Sequence, residues 1–149
     1  MTNKDRTEPA QSTMDVALAV RAEEELLYAT LSGAFSLEEA QRTFLQILAS
    51  LEQHRLRKVV VDGRPVTGEP SDAERYLYGE FVAKEVSEQC SRMKWNTPQF
   101  AYLLIPPVGD PERLGENAAV NRGMFVKTFE GLDDALKWLG IDSAGGARS

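Results

Sequence analysis

The chain has one cysteine and one histidine among its 149 residues. A single cysteine, Cys90, excludes an internal disulfide, and a lone thiol suits a reducing compartment. A single histidine excludes a histidine-rich zinc cluster, and His54, at the end of the first predicted helix, is not well placed as the base that most nucleophilic triads depend on. No apolar run reaches the roughly 20 residues that span a bilayer, and the polar N-terminus lacks a signal-peptide core. Basic residues are outnumbered: 17 Lys and Arg against 23 Asp and Glu leave a formal net charge of −6. With those cations dispersed, a dedicated nucleic-acid binder is excluded. Gly63 and Gly68 lack the lysine and spacing of a phosphate-binding loop. The expectation is a cytoplasmic protein without metal or cofactor, binding neither nucleic acid nor membrane.

What is present is ordinary globular composition, 42% apolar and 27% charged, in a length suited to one core. Residues 1–12 and 142–149 are polar or glycine-rich and read as flexible tails around a single domain over residues 13–141. Met14 to Val20 and Glu25 to Leu31 are apolar strands joined at Glu23-Glu24, with a break expected at Ser32-Gly33. Ser36 and Glu39 form a capping box for a helix from Leu37 to about Gln53, with Ala40, Phe44, Ile47, Leu48 and Leu51 on one face. Val59-Val60-Val61 suits a central strand, and Asp62 to Pro70 a long loop.

Ser71 and Glu74 cap a second helix, expected to reach Cys90. Phe100 to Ile105 form the next strand, ended by Pro106-Pro107. Asp110-Pro111 marks the start of a third helix, and Asn121-Arg122-Gly123 its end. Met124 to Phe129 form the last strand, and Leu132, Ala135, Leu136 and Leu139 the inner face of the last helix. Four strand-then-helix units in series, behind one leading strand, predict an α/β fold. Its five-stranded sheet is mostly parallel through right-handed crossovers, with an antiparallel N-terminal edge strand.

Three stretches in this order resemble the SpoIIAA-like fold of STAS domains (sulfate transporter and anti-sigma-factor antagonist), and within it the STAS/Sec14-type bacterial proteins. They are Leu26 to Gly33, Lys58 to Asp62, and Asn121 to Phe129 followed by Leu132-Asp133-Asp134-Ala135-Leu136-Lys137-Trp138-Leu139. The resemblance implies a module that acts by binding partners. In anti-sigma-factor antagonists a serine directly after an aspartate at a helix start is phosphorylated. Here Ser71 follows Asp62 by nine positions, so that motif is absent, though Ser71 does occupy a helix start. It reads as a cap and, secondarily, as a phosphorylation candidate.

Other residues bear on function without forming a catalytic constellation. Leu77 and Phe81, with Ala73 one turn earlier, lie outside the inner stripe of the second helix. They form either a partner surface, for a second copy or another protein, or a patch covered by the preceding loop or the first helix. Asp62, Arg64 and Thr67 lie beyond the central strand, where α/β ligands bind. The alternative for them is structural, with Asp62 bonding loop amides and Arg64 pairing with a surface carboxylate. His54 suits a helix C-terminus, and Trp95 and Trp138 read as core or cover. The expected function is a non-enzymatic regulatory or protein-interaction module. The alternative is a carrier of a small apolar ligand in a cavity of several hundred Å³ beneath the second helix.

Overall fold

The computed structural model describes residues 14–110 and 112–141; both expected tails and Pro111 lie outside them. The strands are β1 (Met14–Arg21), β2 (Leu26–Ala34), β3 (Lys58–Asp62), β4 (Val66–Thr67), β5 (Gln99–Leu103) and β6 (Phe125–Phe129). The helices are α1 (Leu37–His54), α2 (Asp72–Met93), α3 (Leu114–Asn121) and α4 (Leu132–Trp138). The strands form one sheet ordered β1-β2-β3-β5-β6, with the short β4 paired to the far end of β2. β1 and β2 are antiparallel and every other pairing is parallel. This is the mixed α/β sheet expected from the sequence, with one more strand.

Alternation along the strands divides the core in two. Leu27, Ala29, Leu31, Val59, Val61, Phe100 and Tyr102 pack with Phe44, Ile47 and Leu51 of α1, Val82 and Val86 of α2, and Ala119 of α3. On the opposite face Leu26, Val60, Ala101 and Leu103 meet Ala135, Leu136 and Leu139. Three helices therefore cover one face and α4 part of the other.

Among the boundaries that differ from expectation, β5 stops at Leu103 short of Ile105, and four others are informative. Ser32-Gly33 does not end β2: Gly33 takes φ +102° and stays paired, to Met14 on one side and to Val66 of β4 on the other. Glu25 belongs to the turn, with φ +55° after a 3-10 turn at Ala22–Glu24. α2 continues to Met93 and ends at Lys94 in the left-handed region. α3 begins at Leu114 and not at Asp110, because the Asp110 carboxylate accepts the amides of Glu112 and Leu114 and Arg113 is left-handed. That local turn takes up the amides a helix start would leave free.

Candidate functional site

The site is built around α2, whose start is fixed by its sequence. Ser71 Oγ accepts the Glu74 amide at 3.1 Å, and Glu74 Oε1 accepts the Ser71 amide at 2.9 Å, a complete capping box. Ser71 is exposed and its hydroxyl is engaged as the cap. Gly79, Val82, Ala83, Val86 and Gln89 form the buried face. Gln89, not anticipated from periodicity, donates through Nε2 to the Leu48 carbonyl of α1 at 2.9 Å.

The outer residues divide. Leu77 is 46% exposed, Tyr76 43%, and Ala73 is exposed as well. Phe81 is half-buried and packs against the main core. Beside them Arg122 reaches across from the end of α3. Its guanidinium lies 5.5 Å from the Tyr76 ring centroid, donates to Tyr76 Oη at 3.1 Å and pairs with Glu80. The first turns of α2 thus present Tyr76 and Leu77 beside the Arg122–Glu80 ion pair, while the charged Asp72 at its start and Lys84, Glu88 and Arg92 along the rest of the helix are exposed.

Beneath α2 lies an apolar cavity of about 120 Å³, lined among others by Val66, Tyr78, Val82, Tyr102, Val108 and Val126. Tyr78 and Tyr102 share a hydroxyl–hydroxyl bond of 2.8 Å inside it. Burial pushes both phenols above their ordinary range, and the bond between them pulls Tyr78 back only in part. Both stay neutral at physiological pH. Arg75 closes one side, donating to the Pro107 carbonyl at 2.6 Å, while its Nε is buried without a partner among the described residues. Cavities that enclose whole organic ligands measure roughly 300–1,000 Å³, so this one has room for no more than a group of about benzene size.

Asp62 and Arg64 come together, with Asp62 accepting a loop amide as the structural alternative has it but with a different partner for Arg64. Arg64 pairs with Asp62 itself and not with another surface carboxylate: its Nε and Nη2 donate to the two carboxylate oxygens at 2.9 and 2.8 Å, and its amide donates at 3.1 Å. Tyr28 Oη donates to the same carboxylate at 2.7 Å, and the Arg21 guanidinium lies 4.8 Å from the Tyr28 ring centroid. Burial alone would raise the Asp62 carboxyl, but the Arg64 fork, the Tyr28 hydroxyl and the Arg64 amide together hold it below the ordinary range. Burial and the adjacent carboxylate raise Tyr28. A carboxylate so fully occupied is poorly placed to act as a base.

Tyr28 and Arg21 were missed from the sequence. The available signal was alternation, which sends Tyr28 to the face opposite Leu27 and Ala29. Thr67 stands apart, bonded to the Gly33 carbonyl at 3.4 Å. The crevice at the carboxyl ends of the strands lies elsewhere. It is an open cleft of about 730 Å³ beyond β5 and β6, edged by Pro106, Asp110, Arg113, Lys127, Asp134 and Lys137.

His54 Nδ1 meets the Ser50 carbonyl at 3.1 Å, within its own helix end. Burial raises the Cys90 thiol above its ordinary range. Trp138 packs edge-on against Phe125 and tilted against Phe129, as cover. Among the described residues no group of three or more His, Cys, Asp or Glu is placed to hold a metal ion. No helix among them is long and apolar enough to cross a membrane.

No protein-family model matches the chain, and no curated protein matches it. Among solved structures it is similar to an anti-sigma factor antagonist from Mycobacterium paratuberculosis. The TM-score is 0.55 at 14% sequence identity, covering 88% of this chain and 97% of that one. The likeness shows the fold, and the SpoIIAA-like architecture expected from the sequence is the one found.

Proposed function

We propose that this protein is a non-enzymatic, regulatory protein-interaction module that engages a protein partner through the outer face of α2. The observation that carries the reading is the exposed Tyr76–Leu77 surface, with Tyr76 and Glu80 bridged by Arg122 to the end of α3. Interface centres are enriched in aromatic side chains and arginine, and a fixed anchor loses little entropy on docking. The solved structure of an anti-sigma factor antagonist with the same fold supports a role of this class. The saturated Asp62 network supports the non-enzymatic half. Ser71, exposed at the start of the same helix, is the position where a phosphoryl group would add about −1.5 to −2 charges beside that surface. A carrier function lacks support of the same kind, since the cavity beneath α2 is small.

Leu77→Asp is the test. A protein that co-purifies with the tagged wild-type chain from its host, and binds it again after separate purification, should bind the variant at least about tenfold more weakly, the loss typical of an interface anchor. Thermal stability should stay within about 0.5 kcal/mol, because Leu77 is a surface position. Unchanged affinity in a folded Leu77→Asp chain would remove α2 as the docking face.

A further inference from the structure

Among the described residues β1 is an edge strand, and its charges, Asp15 and Arg21, stand near its ends and leave five apolar residues between them. It runs eight residues in unbroken register with β2 and contains neither lysine nor proline, whereas protected edges are short, bulged, or carry such residues. The opposite edge, β6, has five residues with Lys127 at its middle. Past Met14 the side chains of β1 are exposed or half-exposed, Leu18 at 41% and Val20 at 42%. Among the described residues only β2 pairs with it.

The order of residues defines what fits there. From Asp15 to Arg21 the chain reads Asp-Val-Ala-Leu-Ala-Val-Arg. The apolar part is a palindrome about Leu18, and the ends carry opposite charges. A second copy laid antiparallel about a two-fold axis at Leu18 sets Leu18 against Leu18, Val16 against Val20, Ala17 against Ala19, and Asp15 against Arg21 twice over. A slip of two residues would face Asp15 with Ala19 or Glu23 and lose both ion pairs. Val16, Leu18 and Val20 lie opposite Leu31, Ala29 and Leu27 of β2, so the aliphatic pairs meet on the face that the three helices cover. The ion pairs fall on the other face, where Arg21 already lies over Tyr28.

We infer that β1 pairs with β1 of a second copy of this chain in that register, making one continuous sheet across the pair. The partner is set by charge complementarity that only a like strand supplies. Cross-strand apolar and opposite-charge pairs each add to such an interface, and like charges directly opposite weaken it.

Asp15→Arg and Arg21→Asp test the register without touching the core. Each variant alone places like charges together at both ends and should sediment as a monomer, with association weakened at least about tenfold. Mixed, the two variants restore both ion pairs and should form a one-to-one heterodimer. Leu18→Lys, on the axis, should be monomeric in every mixture. Circular dichroism would check that each variant is folded. A monomeric wild-type chain, as when residues 1–13 or another protein occupy the edge, would overturn the inference. So would single variants that dimerise like wild type, or a mixture that stays monomeric.

Discussion

Asp62 concentrates the electrostatics of the molecule at one residue. Its side chain is nearly buried, accepts four hydrogen bonds and ties β2, β3 and the following loop together. Its folded-state pKa is depressed by these partners. The stabilisation is therefore fully present above the unfolded value of about 3.9 and is lost as pH falls through the folded value. Arg64 keeps 36% of its side chain exposed, so screening reduces what the pair contributes. Asp62→Asn should cost about 1–2 kcal/mol at neutral pH. Urea midpoints measured against pH should show the wild-type advantage shrinking below about pH 4. A gap between the two proteins that is independent of pH would show that the network is not held by the carboxylate charge.

At the scale of elements, the tightest contact joins α2 to α3. A Cβ on Gly79 would collide with the Gly115 carbonyl, and one on Gly115 would lie 3.0 Å from the Arg75 carbonyl, with Ala118 also at the crossing. Backbone meets backbone there, so neither side yields by a rotamer change. Gly79→Ala should lower stability by about 1–3 kcal/mol, the range of overpacking, despite the better helix propensity of alanine. A melting temperature at or above wild type would disprove the close crossing.

This contact was invisible in the sequence, because glycine within a helix carries no sign of what approaches it. The Ser71–Glu74 capping box, the valine strand and the inner stripes of α1 and α4 were legible, since each depends on neighbours within a few residues; of the box expected at Ser36 and Glu39 only the Ser36 half forms, because the Glu39 carboxylate takes Arg42 instead. β4 was not: two residues make a strand only because β2 continues through Gly33 to Ala34 and pairs with them. The same limit applies to the site. Leu77 and Phe81 share one apolar arc in sequence, yet packing across the molecule buries one partly and leaves the other exposed. The Tyr28–Asp62 bond spans 34 positions along the chain, beyond any local pattern.

Over the whole molecule, stability is graded across the sheet. β3 and β5 lie at its centre, with Val59, Val60, Val61, Phe100, Ala101 and Leu103 fully enclosed between α4 and the three-helix layer. β1 is the exposed margin, separated from α2 by α1, so self-pairing at β1 leaves the α2 face of each copy free for another protein. Two such faces on one assembly would engage a bivalent partner with avidity beyond either contact alone. Amide exchange follows local opening, which is rarest where burial is deepest and commonest at unsupported edges. Peptides from β3 and β5 should therefore be the slowest to exchange, at a rate independent of protein concentration. Peptides covering Asp15 to Arg21 should exchange fast in dilute solution and slow as concentration rises, because pairing with a second copy protects only the outward amides. Leu18→Lys should abolish that dependence while leaving β3 and β5 unchanged. Concentration-dependent protection appearing on α2 in place of β1 would move self-association to the helix and leave no free docking face there.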